Sequence, residues 1–329
     1  MRVGMIPKAG GGGPASFQER LQGELGRLGV ETTFDPNSRP LDAVLVFAGT
    51  KDLLSLWRCK RDGIRIVQRL DGINWLHRVH PRGLIYALRA EWLNRQLRFI
   101  RAHFADRIVY QSEFVRGWWE GWFGAVAAPA RVVHNGIPLD EYPLRKGDPD
   151  GTLLVVEGNL HYNDPSRRIL QTANRILIRD GLLRKLSILA RTDPAWKREW
   201  IHFDPQPEVA GLRPRSEVQI RQQKAVLFLS MEINAPCPNA VIEALASGLP
   251  VIGFDTGSVR ELVGAGGEVV PYDGDPWRLE VPRNLEAIGE VGRRVMERWG
   301  EYSKRARFEA ERRFDIRTVA RDYLEMMTD

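Results

Sequence analysis

The sequence predicts an α/β protein built from two successive domains, each a parallel sheet enclosed by helices. Three observations lead to this prediction. Short β-rich runs alternate with longer helical patterns along most of the chain, which is typical of parallel sheets wrapped by helices. The length of 329 residues suffices for two domains of ordinary size. A segment rich in turn formers and charges, residues 135–151, divides the alternating series in two.

The elements follow from apolar periodicity and from the turn residues between the periodic runs. In the first series, strands are predicted at 2–6, 30–34, 43–47, 64–69, 107–110 and 131–134, and helices at 16–28, 51–61, 84–104 and 113–122. In the second, strands are predicted at 152–156, 185–189, 201–203, 225–230, 250–254 and 268–270, and helices at 164–180, 217–223, 238–247 and 259–262. Residues 284–327 are predicted to be helical, with breaks near Gly300 and Asp315.

We therefore expect two Rossmann-like domains, residues 1–145 and 146–310, followed by a helix at 311–329 that crosses back to the first domain. Ligands of open parallel sheets bind beyond the carboxyl ends of the strands. The sequence thus predicts a ligand site in a cleft between the two domains, as an inference from architecture alone.

Composition excludes several other classes of protein. Hydrophobic residues make up 43% and charged residues 27% of the chain, the balance of a soluble globular protein. No apolar run approaches the roughly 18 residues that a membrane-spanning helix needs, and the first residues are interpreted as a strand rather than a signal peptide. Cys59 and Cys237 lie far apart without metal-ligand spacing, which favours a reducing, cytoplasmic location.

Positive charge is concentrated in the first half of the chain. Residues 1–145 contain 21 Lys and Arg against 14 Asp and Glu, and the stretch 58–116 contains 13 against 5. The segments 95–101 and 118–123 carry cations and aromatic residues together, as interfacial membrane helices do. Core packing explains part of the tryptophan set equally well. An anionic membrane, an anionic acceptor and a merely solvated surface all remain open. Nucleic acid is not expected, because no binding motif accompanies the charge.

The most specific stretch is PCPNAVIEALASGLPVIG at 236–253. It predicts a strand, a loop, a helix begun by Pro238 and a second strand after Gly248. The first helical N–H groups, of Asn239, Ala240 and Val241, suit a diphosphate, because an exposed helix N-terminus offers both donors and a favourable dipole. Glu243 lies one turn further in, where its carboxylate could accept hydrogen bonds from a ribose.

This stretch resembles the donor-binding segment of retaining GT-B glycosyltransferases, the glycosyltransferase 4 family (group 1 glycosyl transferases). The family reads Glu-x7-Glu-Ala-x-Ala-x-Gly-x-Pro-Val there, and the resemblance implies that Glu243 binds the donor ribose. The family's first Glu, which contacts the donor sugar, would fall at Ala235, so Glu232 is a candidate substitute. Segments 108–114, 132–137 and 257–263 also resemble family motifs, so the resemblance covers nearly the whole chain.

The resemblance implies roles for further residues. The loop 9–16 contains Gly12 and Gly13, which would lie beside the transferred phosphate and the acceptor, as glycines allow close backbone approach. Asp71, at the end of a first-domain strand, is a candidate acceptor-side residue, with turn capping as the alternative. The family's diphosphate-binding Arg and Lys follow a glycine that corresponds to Gly158. Residues considered for that region are Asn159, at the Arg position, and the nearest cations, Arg167, Arg168 and Arg191.

The resemblance further implies a nucleotide-sugar donor as co-substrate, retention of anomeric configuration, and no cofactor or metal. The acceptor would be bound by the first domain and could be anionic or membrane-associated, with the enzyme peripheral at the inner membrane face. Two alternatives stay open. One is a catalytically weak sugar-nucleotide-binding or scaffold protein, which Ala235 and the missing Arg/Lys pair favour. The other is a nucleotide-sugar epimerase.

Overall fold

The computed structural model describes residues 1–80, 83–145, 147–160, 164–179, 181–192 and 194–328. The chain forms two compact units. Unit 1 consists of Met1–Ile137 and the chain from Asp315 onward, and unit 2 of Pro138–Phe314. The sequence predicted the first boundary later, at residue 145, and the second boundary earlier, at residue 310.

Unit 1 contains a six-stranded parallel sheet in the order β2-β1-β3-β4-β5-β6. The strands are β1 (Arg2–Ile6), β2 (Glu31–Thr33), β3 (Ala43–Phe47), β4 (Arg65–Leu70), β5 (Arg107–Tyr110) and β6 (Ala130–Val132). The helices before residue 137 are α1 (Gly12–Arg27), α2 (Leu53–Arg61), α3 (Leu76–Val79), α4 (Leu84–His103) and α5 (Glu113–Phe123). The central strand β3 is buried along its whole length, as a strand covered on both faces must be.

Unit 2 contains a second six-stranded parallel sheet in the order β12-β11-β10-β7-β8-β9. Its strands are β7 (Thr152–Leu160), β8 (Lys185–Thr192), β9 (Glu208–Val209), β10 (Leu227–Ser230), β11 (Val251–Asp255) and β12 (Gly267–Pro271). Its helices are α6 (Asp164–Ala173), which continues as a π-helix (Asn174–Arg179), α7 (Pro194–Glu199), α8 (Arg215–Lys224), α9 (Asn239–Ala246), α10 (Val259–Val263), α11 (Ala287–Glu297) and α12 (Trp299–Arg313). Short 3-10 helices cover Leu139–Glu141, Trp200–His202 and Pro276–Arg278.

The last helix, α13 (Ile316–Thr328), packs in unit 1 against α1, β3 and β4. Ile316, Val319 and Tyr323 join the core on that face of the first sheet. The start of α13 packs closely against Gly136, which has no Cβ. A Cβ at this position would lie only 2.9 Å from the Cα of Ile316. On the opposite face of the sheet, α2 and α4 contribute Leu56 and Ile100 to a separate core cluster.

The prediction of two α/β units with parallel sheets is confirmed, whereas one predicted strand is wrong. Residues 201–203 belong mainly to the 3-10 helix Trp200–His202, because Trp200 stacks on buried Trp196 with ring centroids 4.9 Å apart and Phe203 is buried beside them. The strand at that edge of the sheet is the exposed pair Glu208–Val209 instead. None of the described helices has the length and apolarity that crossing a bilayer requires.

Candidate functional site

Parallel pairing in unit 2 brings the carboxyl ends of three strands side by side. β7 pairs with β10 on one side and with β8 on the other, and the register places Asn159 opposite Arg191. Glu232 follows the end of β10, and Gly158 lies near the end of β7. These four residues, which the sequence singled out for donor binding, therefore lie along one edge of the second sheet, where ligands of parallel sheets bind.

Helix α9 begins at this edge. Pro238 is its N-cap and Asn239 its first residue. The amide of Ala240 lies in the first turn, where helix geometry supplies no intrahelical acceptor. The amide of Val241, by contrast, donates to the carbonyl oxygen of Pro238 at 3.1 Å. The prediction that this amide is available to a phosphate is therefore wrong. Glu243 lies one turn inside the helix and is half-buried.

The loop between β10 and α9 is held by the segment that follows β11. The carbonyl oxygen of Ala235 accepts hydrogen bonds from the amide and the hydroxyl of Ser258, at 2.9 and 3.1 Å. The amide of Asn234 donates to Oγ1 of Thr256 at 2.9 Å, and the Thr256 hydroxyl donates to the Asn234 side chain. Ala235 is fully buried, so the position where the family has a carboxylate faces the protein interior in this chain.

Gly257 allows this approach of the two segments. Its φ of +62° is in the left-handed region, and a Cβ there would lie 2.4 Å from the amide nitrogen and 2.5 Å from the carbonyl oxygen of Ala235. Only glycine fits such a position. Sequence reasoning did not assign Thr256, Gly257 and Ser258 this role, although their polar, turn-forming sequence directly after a strand is the signal for it.

Two carboxylates, Glu157 in β7 and Glu232 just after the neighbouring β10, lie close enough to interact electrostatically. Burial, followed by the charge of Glu232, raises the pKa of Glu157 well above its ordinary value. Glu232 keeps contact with solvent, yet the protein packed around it limits its hydration and raises its pKa as well. Sequence reasoning proposed Glu232 but missed Glu157. Among the residues described, no group of three or more His, Cys, Asp or Glu could hold a metal ion.

The predicted cations of unit 2 differ in their surroundings. Arg167, in the first turns of α6, forms an ion pair with Glu199 at 3.6 Å, so part of its charge is already neutralised. Arg168 and Arg191 are exposed, and they are better placed to meet an anionic ligand. The side chain of Asn159 lies outside the described part of the structure.

In unit 1, Asp71 follows the end of β4, as predicted, and is held by a buried arginine. The guanidinium of Arg69 pairs with the Asp71 carboxylate and donates to Oε1 of Gln111 at 2.9 Å and Oδ1 of Asn135 at 2.7 Å. It also lies over the ring of Phe17, 4.7 Å from the centroid. Arg69 is almost fully buried, so this network fixes the carboxyl ends of β4, β5 and β6 relative to one another.

The glycine loop after β1 is shorter than predicted, because α1 begins at Gly12 rather than at residue 16. Gly12 and Gly13 are exposed and form its first turn. Buried Gln18 fixes the start of the loop by accepting from the amide of Ala9 at 2.8 Å and donating to the carbonyl of Pro7 at 2.9 Å. The loop thus presents an exposed helix N-terminus at the carboxyl edge of the first sheet.

The aromatic and basic residues suggested as a surface belong largely to the core. Trp118 and Trp119 are buried, and the indole N–H of Trp119 donates to the carbonyl of Asp71 at 2.7 Å. Arg101 is buried too, and it donates to the hydroxyl of Tyr110 and the carbonyl of Gly124, both at 2.9 Å. Core packing is therefore the correct interpretation for these three residues, whereas Arg95 and Arg98 remain exposed.

Solved structures share this fold over the whole chain. A sucrose-phosphate synthase from Thermosynechococcus elongatus matches with a TM-score of 0.72 and 13% identity, over 99% of this chain and 98% of its own. Anabaena HepE, solved with UDP-glucose, matches with a TM-score of 0.72 and 12% identity, over 100% and 99%. AviGT4, a glycosyltransferase involved in avilamycin A biosynthesis, matches with a TM-score of 0.63 and 16% identity, over 99% and 97%.

The two units thus share the fold of these solved glycosyltransferases and synthases. The family model described as "Glycosyl transferases group 1" matches residues 151–280, so this part of unit 2 is similar to group 1 glycosyl transferases. The resemblance stated from the sequence is thereby confirmed at the level of group 1 glycosyl transferases. A comparison with curated proteins gives no match.

Proposed function

We propose that this protein transfers a sugar, with retention of anomeric configuration, from a nucleoside-diphosphate sugar bound by unit 2 to an acceptor bound by unit 1. The observation that carries the proposal is the shared edge of the second sheet. There the last residues of β7 and β8, with Gly158 and Arg191, lie at the edge where α9 and its Glu243 begin, within the segment that the family model matches.

Each donor group has a proposed partner. The amides at the start of α9, with Asn239 and Ala240, meet the diphosphate, and the exposed guanidinium groups of Arg168 and Arg191 supply positive charge. Glu243 accepts hydrogen bonds from the ribose hydroxyls. Glu232 lies next to Glu157 and contacts the donor sugar in place of the carboxylate that Ala235 lacks.

In the reaction we propose, the bond between the anomeric carbon and the diphosphate oxygen breaks while the acceptor oxygen bonds to the same face of that carbon. The leaving phosphate oxygen takes the proton of the acceptor hydroxyl, so atoms and charge balance without a separate base. Preorganised amides and arginines stabilise the negative charge that develops on the leaving group. Such donors can act without a metal ion, which is our expectation for this enzyme.

Asp71 is the acceptor-side residue in this proposal. Arg69 pairs with the Asp71 carboxylate and is itself fixed by hydrogen bonds to two neighbouring amide side chains. Asp71 is therefore positioned to accept a hydrogen bond from an acceptor hydroxyl. The exposed turn at Gly12 and Gly13 lies at the carboxyl edge of the same sheet. We propose that the acceptor is anionic or membrane-associated and that the enzyme acts at the cytoplasmic face of a membrane.

The second candidate is a sugar-nucleotide-binding or scaffold protein without useful turnover. Burial of Ala235 and the Asn at position 159 favour it, since both remove a family side chain from the donor site. The two candidates differ in one measurable product. Incubation with a panel of UDP-, GDP- and ADP-sugars, followed by detection of free nucleoside diphosphate, should show release from at least one sugar if the protein is a transferase, because water can replace the acceptor.

A thermal-shift series on the same panel separates binding from turnover. A nucleotide sugar at 100 times its dissociation constant should add about 2.7 kcal/mol to the free energy of unfolding. Stabilisation without release of nucleoside diphosphate would favour the scaffold, and absence of both would contradict the proposed donor class.

A further inference from the structure

Helix α4 turns an apolar face towards solvent. Along its length, Leu84, Ile85, Leu88 and Trp92 are 75%, 84%, 61% and 51% exposed. With 3.6 residues per turn, Leu84, Leu88 and Trp92 lie on one side of the helix. Phe99, two turns further on, continues the same side and is exposed as well. A surface helix of a globular protein normally has polar residues there.

The opposite side of α4 is fixed to unit 1. Ala90, Asn94 and Ile100 are buried, and Asn94 exchanges hydrogen bonds with Asn74 at 2.9 and 3.0 Å. The helix therefore cannot rotate to bury its apolar residues without breaking these contacts. Its exposed side has a contiguous apolar row at Leu84, Leu88 and Trp92, which is the arrangement that marks an interaction surface.

Cations accompany this row: Arg89 and Arg98 flank it, and Arg95 lies on it between Trp92 and Phe99. Arg89, Arg95 and Arg98 are exposed, and the Arg98 guanidinium lies 5.4 Å from the ring centroid of Phe123. The acidic residue of the helix, Glu91, is engaged by His77 and Arg78 at 2.8 and 2.7 Å, so its charge is neutralised. The charge on and beside the row is therefore positive.

Helix α2, on the same face of the first sheet, also exposes apolar residues. Leu54 and Trp57 are about half exposed, and the Arg61 guanidinium lies over the Trp57 ring at 5.1 Å. Leu56 of α2 and Ile100 of α4 belong to one core cluster, so both helices cover the same face of the first sheet. Exposed tryptophan next to arginine is characteristic of the interfacial zone of a bilayer.

We infer that α4, assisted by α2, docks unit 1 on an anionic lipid bilayer. Leu84, Leu88, Trp92 and Phe99 enter the boundary between headgroups and acyl chains, while Arg89, Arg95 and Arg98 extend to the lipid phosphates. A second copy of the chain fits less well, because a twofold contact would bring the same arginines together. The inference extends the membrane location proposed above, but its observations do not depend on the transfer reaction.

The test is flotation of the whole protein with vesicles of phosphatidylcholine alone and of phosphatidylcholine mixed with an equal part of phosphatidylglycerol. We expect co-flotation with the anionic vesicles only. High salt should weaken it, because the screening length falls to about 3 Å at 1 M. Equal binding to both vesicle types, or to neither, would overturn the inference.

Matched variants locate the surface. L88S combined with W92S should reduce binding to anionic vesicles at least tenfold. The control is I201S combined with F308S, two equally exposed apolar residues of unit 2, which should leave binding unchanged. Equal loss of vesicle binding in both double variants, or no loss of binding in either, would contradict the assignment to α4.

A second pair separates charge from apolar contact. R89Q with R95Q should reduce binding to anionic vesicles severalfold and flatten its salt dependence, whereas R293Q with K304Q, two exposed cations of unit 2, should not. Sedimentation at rising protein concentration tests whether the surface binds a second copy of the chain instead. Self-association that is abolished by L88S combined with W92S would show that it does, and would overturn the assignment to a bilayer. Nucleotide binding measured on each variant distinguishes a failure of docking from a failure of the proposed donor site.

Discussion

Replacing Gly257 with alanine should destabilise unit 2 and displace the loop before α9. The new Cβ would lie 2.4 Å from the amide nitrogen of Ala235 and would sit on a backbone with φ of +62°. The left-handed conformation costs a non-glycine residue about 1–2 kcal/mol. Displacing the loop also endangers both hydrogen bonds from Ser258 to Ala235, each worth about 0.5–1.5 kcal/mol. The expected total is therefore about 2–5 kcal/mol.

Gly211 provides a matched control. Its φ is +71°, but a Cβ there would have no atom within 4 Å, so G211A should cost only the conformational part, about 1–2 kcal/mol. Urea denaturation measures both free energies of unfolding, and calorimetric titration measures nucleoside-diphosphate affinity. G257A should also weaken that affinity by about tenfold, which is about 1.4 kcal/mol, because the loop leads into α9. Equal destabilisation by the two variants, with unchanged affinity in both, would refute this reasoning.

Two further substitutions test the carboxylate pair and the buried arginine. Because the folded protein raises the pKa of Glu157 above its ordinary 4.5, the stability that its protonated form contributes is complete below that value and is lost as the pH rises through the raised pKa. E157Q should therefore unfold at a higher temperature than the parent protein at neutral and alkaline pH and at the same temperature in acid, and parallel melting curves at every pH would contradict this. R69M leaves Asp71, Gln111 and Asn135 without their shared donor and should destabilise unit 1 by about 3–5 kcal/mol in urea denaturation; a loss below about 1 kcal/mol would show that the network is not needed.

Much of the fold could be predicted because the strands are apolar runs between turn formers. Ala43–Phe47 and Arg107–Tyr110 have the predicted bounds, since a strand buried on both faces leaves a continuous hydrophobic signal. The exposed two-residue strand Glu208–Val209 has no such signal. The start of α1 at Gly12 was missed because glycine is a poor helix former.

The candidate site was only partly predictable, because its geometry depends on contacts distant in sequence. Arg69 meets Gln111 and Asn135 from 42 and 66 positions away, and nothing local distinguishes it from a surface arginine. The same holds for Arg101, which seemed suited to a membrane surface but fills the core. Glu243, by contrast, lies in one continuous motif, so its place one turn inside α9 could be predicted directly.

The central claim is that Glu243 and the start of α9 bind the nucleotide of a sugar donor. The most direct measurement is calorimetric titration of UDP into the parent protein, E243A and the control E297A, whose side chain is exposed on α11. UDP is chosen because the solved Anabaena HepE contains it. A hydrogen bond to a charged group is worth about 1.5–3 kcal/mol, so E243A should bind UDP at least about tenfold more weakly, with E297A unchanged. Equal UDP affinity in all three proteins would contradict the account.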